Sequence, residues 1–167
     1  MTLHVVVMGV SGTGKSVIGA GVAEALGVPL TEGDEHHPRA NVDKMSSGVP
    51  LTDEDRWPWL DILAELLAED HRAGRTSVLA CSALRRVYRD RLRGDLPEDA
   101  VFFIHLQGSR GLLEERMSAR EHFMPVSMLD SQFATLEPLE PDERGAVVDI
   151  APPVDEVVAA AVASLPG

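Results

Sequence analysis

The sequence predicts an α/β fold: a three-layer α/β/α arrangement around a five-stranded parallel sheet. Three observations carry this. Short apolar, β-branched runs alternate with segments of helical spacing, the pattern of right-handed βαβ units. The runs are almost continuously apolar, as strands covered on both faces are. Glycine-rich and polar segments follow directly after them, where parallel sheets bind ligands beyond the strand ends.

Leu3–Met8 is the first buried strand, and Ser16–Leu26 has helical spacing with Gly27 as its stop and Pro29 beyond. Val28–Thr31 is a weaker strand ending at Gly33-Asp34, and Pro38–Met45 is a short helix closed by Ser-Ser-Gly. Thr52-Asp-Glu-Asp55 reads as an acidic cap ahead of Trp59, Leu60, Leu63, Leu66 and Leu67. Pro58 is tolerated only near a helix start, which predicts the main helix over 57–71. Thr76–Ala80, Val101–Leu106 and Ala146–Ile150 complete the strands. Ala83–Leu92, Ser109–Arg120, Ser127–Leu136 and Val154–Leu165 complete the helices.

The 167 residues carry 15 Lys+Arg against 27 Asp+Glu, a net charge of −12, which argues against binding nucleic acid through phosphate contacts. Aromatic residues make up 4% of the chain, so the core rests on Val, Leu, Ala and Ile. One cysteine, Cys81, excludes an internal disulfide and a Cys-based zinc framework. The N-terminus lacks the pattern of a signal peptide, and no run is long enough for a membrane span, so a soluble intracellular protein is expected.

Gly9-Val-Ser-Gly-Thr-Gly-Lys-Ser16 matches GxxxxGK[ST] at every fixed position, between a strand and an amphipathic helix. Glycines let consecutive N–H groups converge on phosphate oxygens, and the helix adds its positive end. Lys15 then reaches the β- and γ-phosphates, while Ser16 offers a hydroxyl to Mg²⁺. The loop predicts a nucleoside triphosphate with magnesium; it does not name the acceptor.

The acceptor side rests on fewer residues. Asp34, at the second strand's end, can take a proton from an attacking hydroxyl, hold a magnesium-bound water, or simply form the Glu-Gly-Asp-Glu turn. His36-His37-Pro38 reads as a turn into a helix rather than a metal pair. Arg85 and Arg89 stand four apart on one helical face and can clamp an anion or pair with nearby acids. Arg86, Arg91 and Arg93 read as solvated partners of acids such as Asp90 and Asp95.

With these residues in view, the chain resembles the P-loop gluconate kinases, which are similar in fold to shikimate and nucleoside-monophosphate kinases. The matching runs are MGVSGTGKS, GDEHHPRANVDKMSSGVPLTDEDRWPWL, CSALRRVYRDRLR, HFMPVSMLDSQFATLEPLEP and VVDI, in family order over nearly the whole chain. The resemblance implies one P-loop kinase domain over 1–167, with a substrate-side helical insert at about 36–73 and a mobile lid at about 118–136. It implies ATP-dependent phosphorylation of D-gluconate to 6-phospho-D-gluconate by a Mg²⁺-dependent, cytoplasmic homodimer.

Residue by residue, the resemblance assigns Gly9, Ser11, Gly12, Thr13, Gly14, Lys15, Ser16 and Val17 to the nucleotide, with Ser16 and Asp34 at the metal. Asp34 orients and deprotonates the acceptor hydroxyl, and Arg56 takes the position that holds a substrate carboxylate. Lys44 lies in the insert, Ser82 and Ala83 offer contacts at the third strand's end, and Arg85 and Arg89 stand behind them. Arg116 stacks on adenine, Pro152 borders it, and Arg120 reaches the transferring phosphoryl group; His122 and Gln132 meet the substrate on lid closure. The chain departs from the family pattern in having one residue, Glu121, between Arg120 and His122-Phe123, where two are usual. A kinase for shikimate or another aldonate, a nucleoside-monophosphate kinase, and a nucleotide-binding regulator without turnover are the competing readings.

Overall fold

The computed structural model describes residues 2–118 and 126–166. Five strands form one sheet: β1 (His4–Met8), β2 (Leu30–Glu32), β3 (Ser77–Ala80), β4 (Val101–Gln107) and β5 (Gly145–Asp149). Their spatial order is β2-β3-β1-β4-β5 and every pairing is parallel, with Val5 opposite both Val78 and Phe102. The apolar runs are buried along β1, β3 and nearly all of β4, as strands covered on both faces must be.

Seven α-helices accompany them among the described residues: α1 (Lys15–Leu26), α2 (Arg39–Ser46), α3 (Asp53–Arg72), α4 (Arg86–Arg93), α5 (Arg110–Ser118), α6 (Val126–Thr135) and α7 (Val154–Ser164). Crossover handedness sets the layers. The step from β1 to β2 runs one way across the sheet and later steps run the other way, so right-handed connections put α1 on one face and α3 and α4 on the other. α7 follows the last strand and packs back against α1. Trp59, Leu60, Leu63 and Leu67 form the buried stripe of α3. No helix among the described residues is long and apolar enough to cross a membrane.

Among the described residues the boundaries differ from expectation by more than one residue in three places. α3 starts at Asp53 rather than Trp57, because the Thr52 hydroxyl accepts from Asp55 N–H while the Asp55 carboxylate accepts from Thr52 N–H. That capping box satisfies the first turn and carries the helix through Pro58. α4 starts at Arg86 rather than Ala83, because Ala83 sits at φ +45° and Arg85 is extended. β2 is shifted to Leu30–Glu32, which brings Glu32 to the strand end.

Gly21 shows how closely α1 and α7 approach: a Cβ there would stand 2.6 Å from Val158 Cγ2. Gly21→Val overpacks this contact and is expected to lower stability by about 1–3 kcal/mol in urea unfolding. An unchanged midpoint would contradict the packing described.

Candidate active site

The loop between β1 and α1 is built by its neighbours. Gly9 lies at φ +151°, and a Cβ there would meet the Leu106 carbonyl oxygen at 2.8 Å, so only glycine fits. Its N–H donates to the Ser82 carbonyl at 3.2 Å. The Thr13 hydroxyl donates to the Val10 carbonyl at 2.8 Å and closes the loop from inside. Gly14, at φ +85°, turns the chain into α1. The Lys15 ammonium rests on the carbonyls of Gly9 and Val10 at 3.0 and 3.2 Å. From α6, Gln132 Oε1 accepts from Ser11 N–H at 2.6 Å, docking that helix on the loop.

The Ser16 hydroxyl, expected to share a metal with Asp34, donates instead to Glu32 Oε2 at 2.8 Å. Glu32 was missed from sequence, although the strand-end reasoning that singled out Asp34 applies to it equally. A hydroxyl and a carboxylate beside a phosphate loop are hard oxygen donors of the kind Mg²⁺ takes, so this pair fits that ion.

One cleft is lined by Ser11, Lys15, Asp34, Arg56, Ser82 and Gln132, with His37 and Trp59 at its wall. Asp34 follows β2 in a 3-10 turn (Gly33–His36), its side chain 80% exposed. Arg56 is 17% exposed; its Nη1 donates to the Tyr88 hydroxyl at 2.9 Å, and its guanidinium lies over the Tyr88 ring. The Tyr88 hydroxyl in turn donates to Asp53. That hydroxyl first, and then Arg85, hold the Asp53 carboxyl below its ordinary range. Burial, reinforced by Arg56, pushes the His37 imidazole below its ordinary value against the pull of Asp34. Burial raises the Cys81 thiol to about 12, which leaves it protonated and unreactive.

A second hollow joins the other side of the loop to the end of the sheet. Gly12, Gly14, Val17, Arg116, Pro152 and Val154 border it. Arg116 Nη2 donates to the Ile150 carbonyl at 2.8 Å, which braces its guanidinium along this wall beside Pro152. Arg120 and His122 lie outside the described residues.

Three cations expected at the substrate are engaged elsewhere. Lys44 Nζ bonds Asp55 at 2.7 Å and ties α2 to the cap of α3; this bond, helped by Thr52 N–H, holds the Asp55 carboxyl at about 2. Arg85 Nη1 bonds Asp53 at 2.6 Å and its Nε faces Glu137 at 3.6 Å, so it borders the Arg56 network rather than the cleft. Arg89 is a correction of another kind, being 0% exposed. Its Nε and Nη2 donate to Glu143 at 2.7 and 3.0 Å, and its Nη1 donates to the Ala83 carbonyl at 2.9 Å. Its charge therefore supports the strained backbone at Ala83 from beneath.

The family model described as AAA domain matches residues 5–139. A gluconokinase from Gluconobacter oxydans (strain 621H) is 54% identical over 140 residues, covering 83% of this chain and 77% of the relative. The chain belongs to the gluconokinase family. The thermoresistant gluconokinase of Escherichia coli (strain K12) is 43% identical over 159 residues, 94% of this chain and 90% of that protein. The crystal structure of a gluconokinase from Sinorhizobium meliloti 1021 superposes with a TM-score of 0.89 at 48% identity, covering 97% of this chain and 90% of the other. As a member of the gluconokinase family the chain is a kinase, and its phosphate loop is a nucleotide-binding loop.

Arg89→Met leaves Glu143 buried without its partner and is expected to cost about 3–5 kcal/mol of stability in denaturant unfolding. Unchanged stability together with weakened substrate binding would return Arg89 to the cleft.

Proposed function

We propose that the protein transfers the γ-phosphoryl group of ATP to D-gluconate, forming 6-phospho-D-gluconate and ADP. The observation that carries this reading is the cleft joining Lys15 of the phosphate loop, the Asp34 carboxylate and the Arg56 guanidinium. A sugar acid has a carboxylate for Arg56 and, at its other end, a hydroxyl for Asp34. Arg can hold a carboxylate through two parallel N–H bonds, and Tyr88 presents the Arg56 guanidinium to the cleft.

In the reaction the acceptor oxygen bonds the γ-phosphorus as the bridging oxygen departs with ADP. The hydroxyl proton passes to the Asp34 carboxylate. Lys15 offsets charge on the transferring phosphoryl group, and Arg120 is assigned the same task from the lid. Positioning and charge neutralisation supply most of what such a transfer requires. Mg²⁺, when bound with the nucleotide, neutralises charge on the β- and γ-phosphates; Ser16, with Glu32 beside it, is the pair that would hold it.

Arg116 and Pro152 are the walls assigned to the base, and Val17, assigned to the nucleotide, borders the same hollow. Ser82 at the end of β3, and Gln132 and His122 in a lid at about 118–136, are assigned to the substrate; the lid and an insert at about 36–73 belong to one kinase domain. We infer a cytoplasmic homodimer from the family resemblance.

Lys15→Ala and Asp34→Ala are each expected to reduce gluconate-dependent ADP release by at least about 100-fold while unfolding like the parent. Parent-like turnover in Asp34→Ala would remove its role as proton acceptor.

A further inference from the structure

His37 belongs to a motif that the phosphoryl-transfer chemistry leaves without a task, and its surroundings are unusually well determined. It follows the 3-10 turn that carries Asp34 and precedes Pro38, which keeps its backbone extended at φ −66°, ψ 136°. Its side chain is 3% exposed. The ring stacks on Trp59, with centroids 4.0 Å apart and planes at 16°. Trp59 is itself fixed, its indole N–H donating to the Gly33 carbonyl at 2.8 Å. The stack fixes the plane of the imidazole.

Asn41 decides which ring nitrogen carries the proton. The Asn41 amide nitrogen donates to the Asp55 carbonyl at 2.9 Å. A carbonyl only accepts, so this bond fixes the amide with its nitrogen inward. The same nitrogen lies 3.2 Å from His37 Nδ1. An amide nitrogen cannot accept, so Nδ1 must present its lone pair, and the neutral ring carries its hydrogen on Nε2. Nε2 faces Asp34 Oδ1 at 3.7 Å. A buried, immobile N–H is thus directed at the carboxylate on the exposed edge of the cleft.

We propose that His37 is a positioning residue for Asp34: its Nε2–H takes one carboxylate oxygen and leaves the other turned to the acceptor hydroxyl. This rests on the reading of Asp34 as the proton acceptor. The ring is held by Trp59 and Asn41, so the exposed Asp34 side chain does the moving. A small rotation closes the gap to a hydrogen bond of about 2.9 Å. The bond is charge-assisted and forms fully when substrate orders the carboxylate, so its effect falls on kcat. No proton leaves the imidazole in this scheme; it only orients its neighbour.

The test uses the full chain with ATP and gluconate, and compares His37→Phe with His37→Gln. Phe keeps the stack on Trp59 and removes the N–H; Gln restores an N–H donor near the Nε2 position. His37→Phe is expected to lower kcat by roughly 10- to 100-fold with the KM for ATP unchanged, the effect of one charge-assisted hydrogen bond. His37→Gln is expected to recover kcat to within about 3-fold of the parent, a residual loss of less than one kcal/mol. Parent-like kcat in the Phe variant, or equal impairment in both, would overturn the proposal. Long-range ¹H–¹⁵N correlation spectra of the parent protein give an independent readout that needs no variant to fold. The Nε2–H tautomer of His37 is expected there, and an Nδ1–H tautomer would overturn the proposal. A parent enzyme inactive on gluconate would instead remove the functional reading, leaving the tautomer result to stand or fall alone.

Discussion

The hydrogen bond from Gly9 N–H to the Ser82 carbonyl ties the loop after β1 to the end of β3. On the other side the Leu106 carbonyl, near the end of β4, presses against Gly9 so closely that no side chain fits. A loop that offers bare N–H groups to phosphates has few side chains with which to hold itself. It needs a strand on each flank, which requires β1 to be central, and the order β2-β3-β1-β4-β5 meets that requirement. The same order puts the ends of β2 and β3 on one side of the loop and the end of β5 on the other. The cleft with Asp34 and Arg56 and the hollow beside Arg116 and Pro152 are therefore separate, divided by the loop itself.

Charge is distributed by the same geometry. The chain has a net charge of −12, an unfavourable background for two anionic reactants. Most of the arginines near the cleft are held by acids: Arg85 by Asp53 and Glu137, Arg86 by Asp90, Glu140 and Asp142, and Arg89 by buried Glu143. These pairs build the frame around Ser82 to Leu84. Arg56 differs because Tyr88 stands between it and most of that acidity, accepting one guanidinium N–H and donating its own O–H to Asp53. Arg56 still lies 3.7 Å from Asp53, but its guanidinium lines the cleft.

The phosphate loop and the layered sheet were legible in the sequence because both are local signals: eight consecutive residues, and apolar runs separated by helical spacing. Asp34 was legible from its place at a strand end and Arg56 through the resemblance, and the structure brings them to one cleft with Lys15. The roles of Arg85, Arg89 and Lys44 were not legible, because a cation on a helix does not declare its partner. The partner of Arg89 is Glu143, 54 positions on, and both become fully buried only when the chain after α6 returns over α4. Glu32 escaped notice because the second strand ends one residue later than the pattern predicts, which puts Glu32 at the strand end beside Ser16 rather than inside a turn. His37 looked like turn punctuation before Pro38; only the stack on Trp59 and the bond from Asn41 give its ring a direction.

The central claim is that Arg56 and Asp34 measure a sugar acid from its two ends. ADP release from ATP, compared for gluconate, glucose and shikimate at matched concentration, tests it most directly. Glucose offers hydroxyls but no carboxylate, and shikimate a carboxylate on a rigid ring. The account predicts kcat/KM for gluconate at least about 100-fold above either, as expected when a buried polar partner is left unmatched. Comparable turnover of glucose, or none of gluconate, would contradict it.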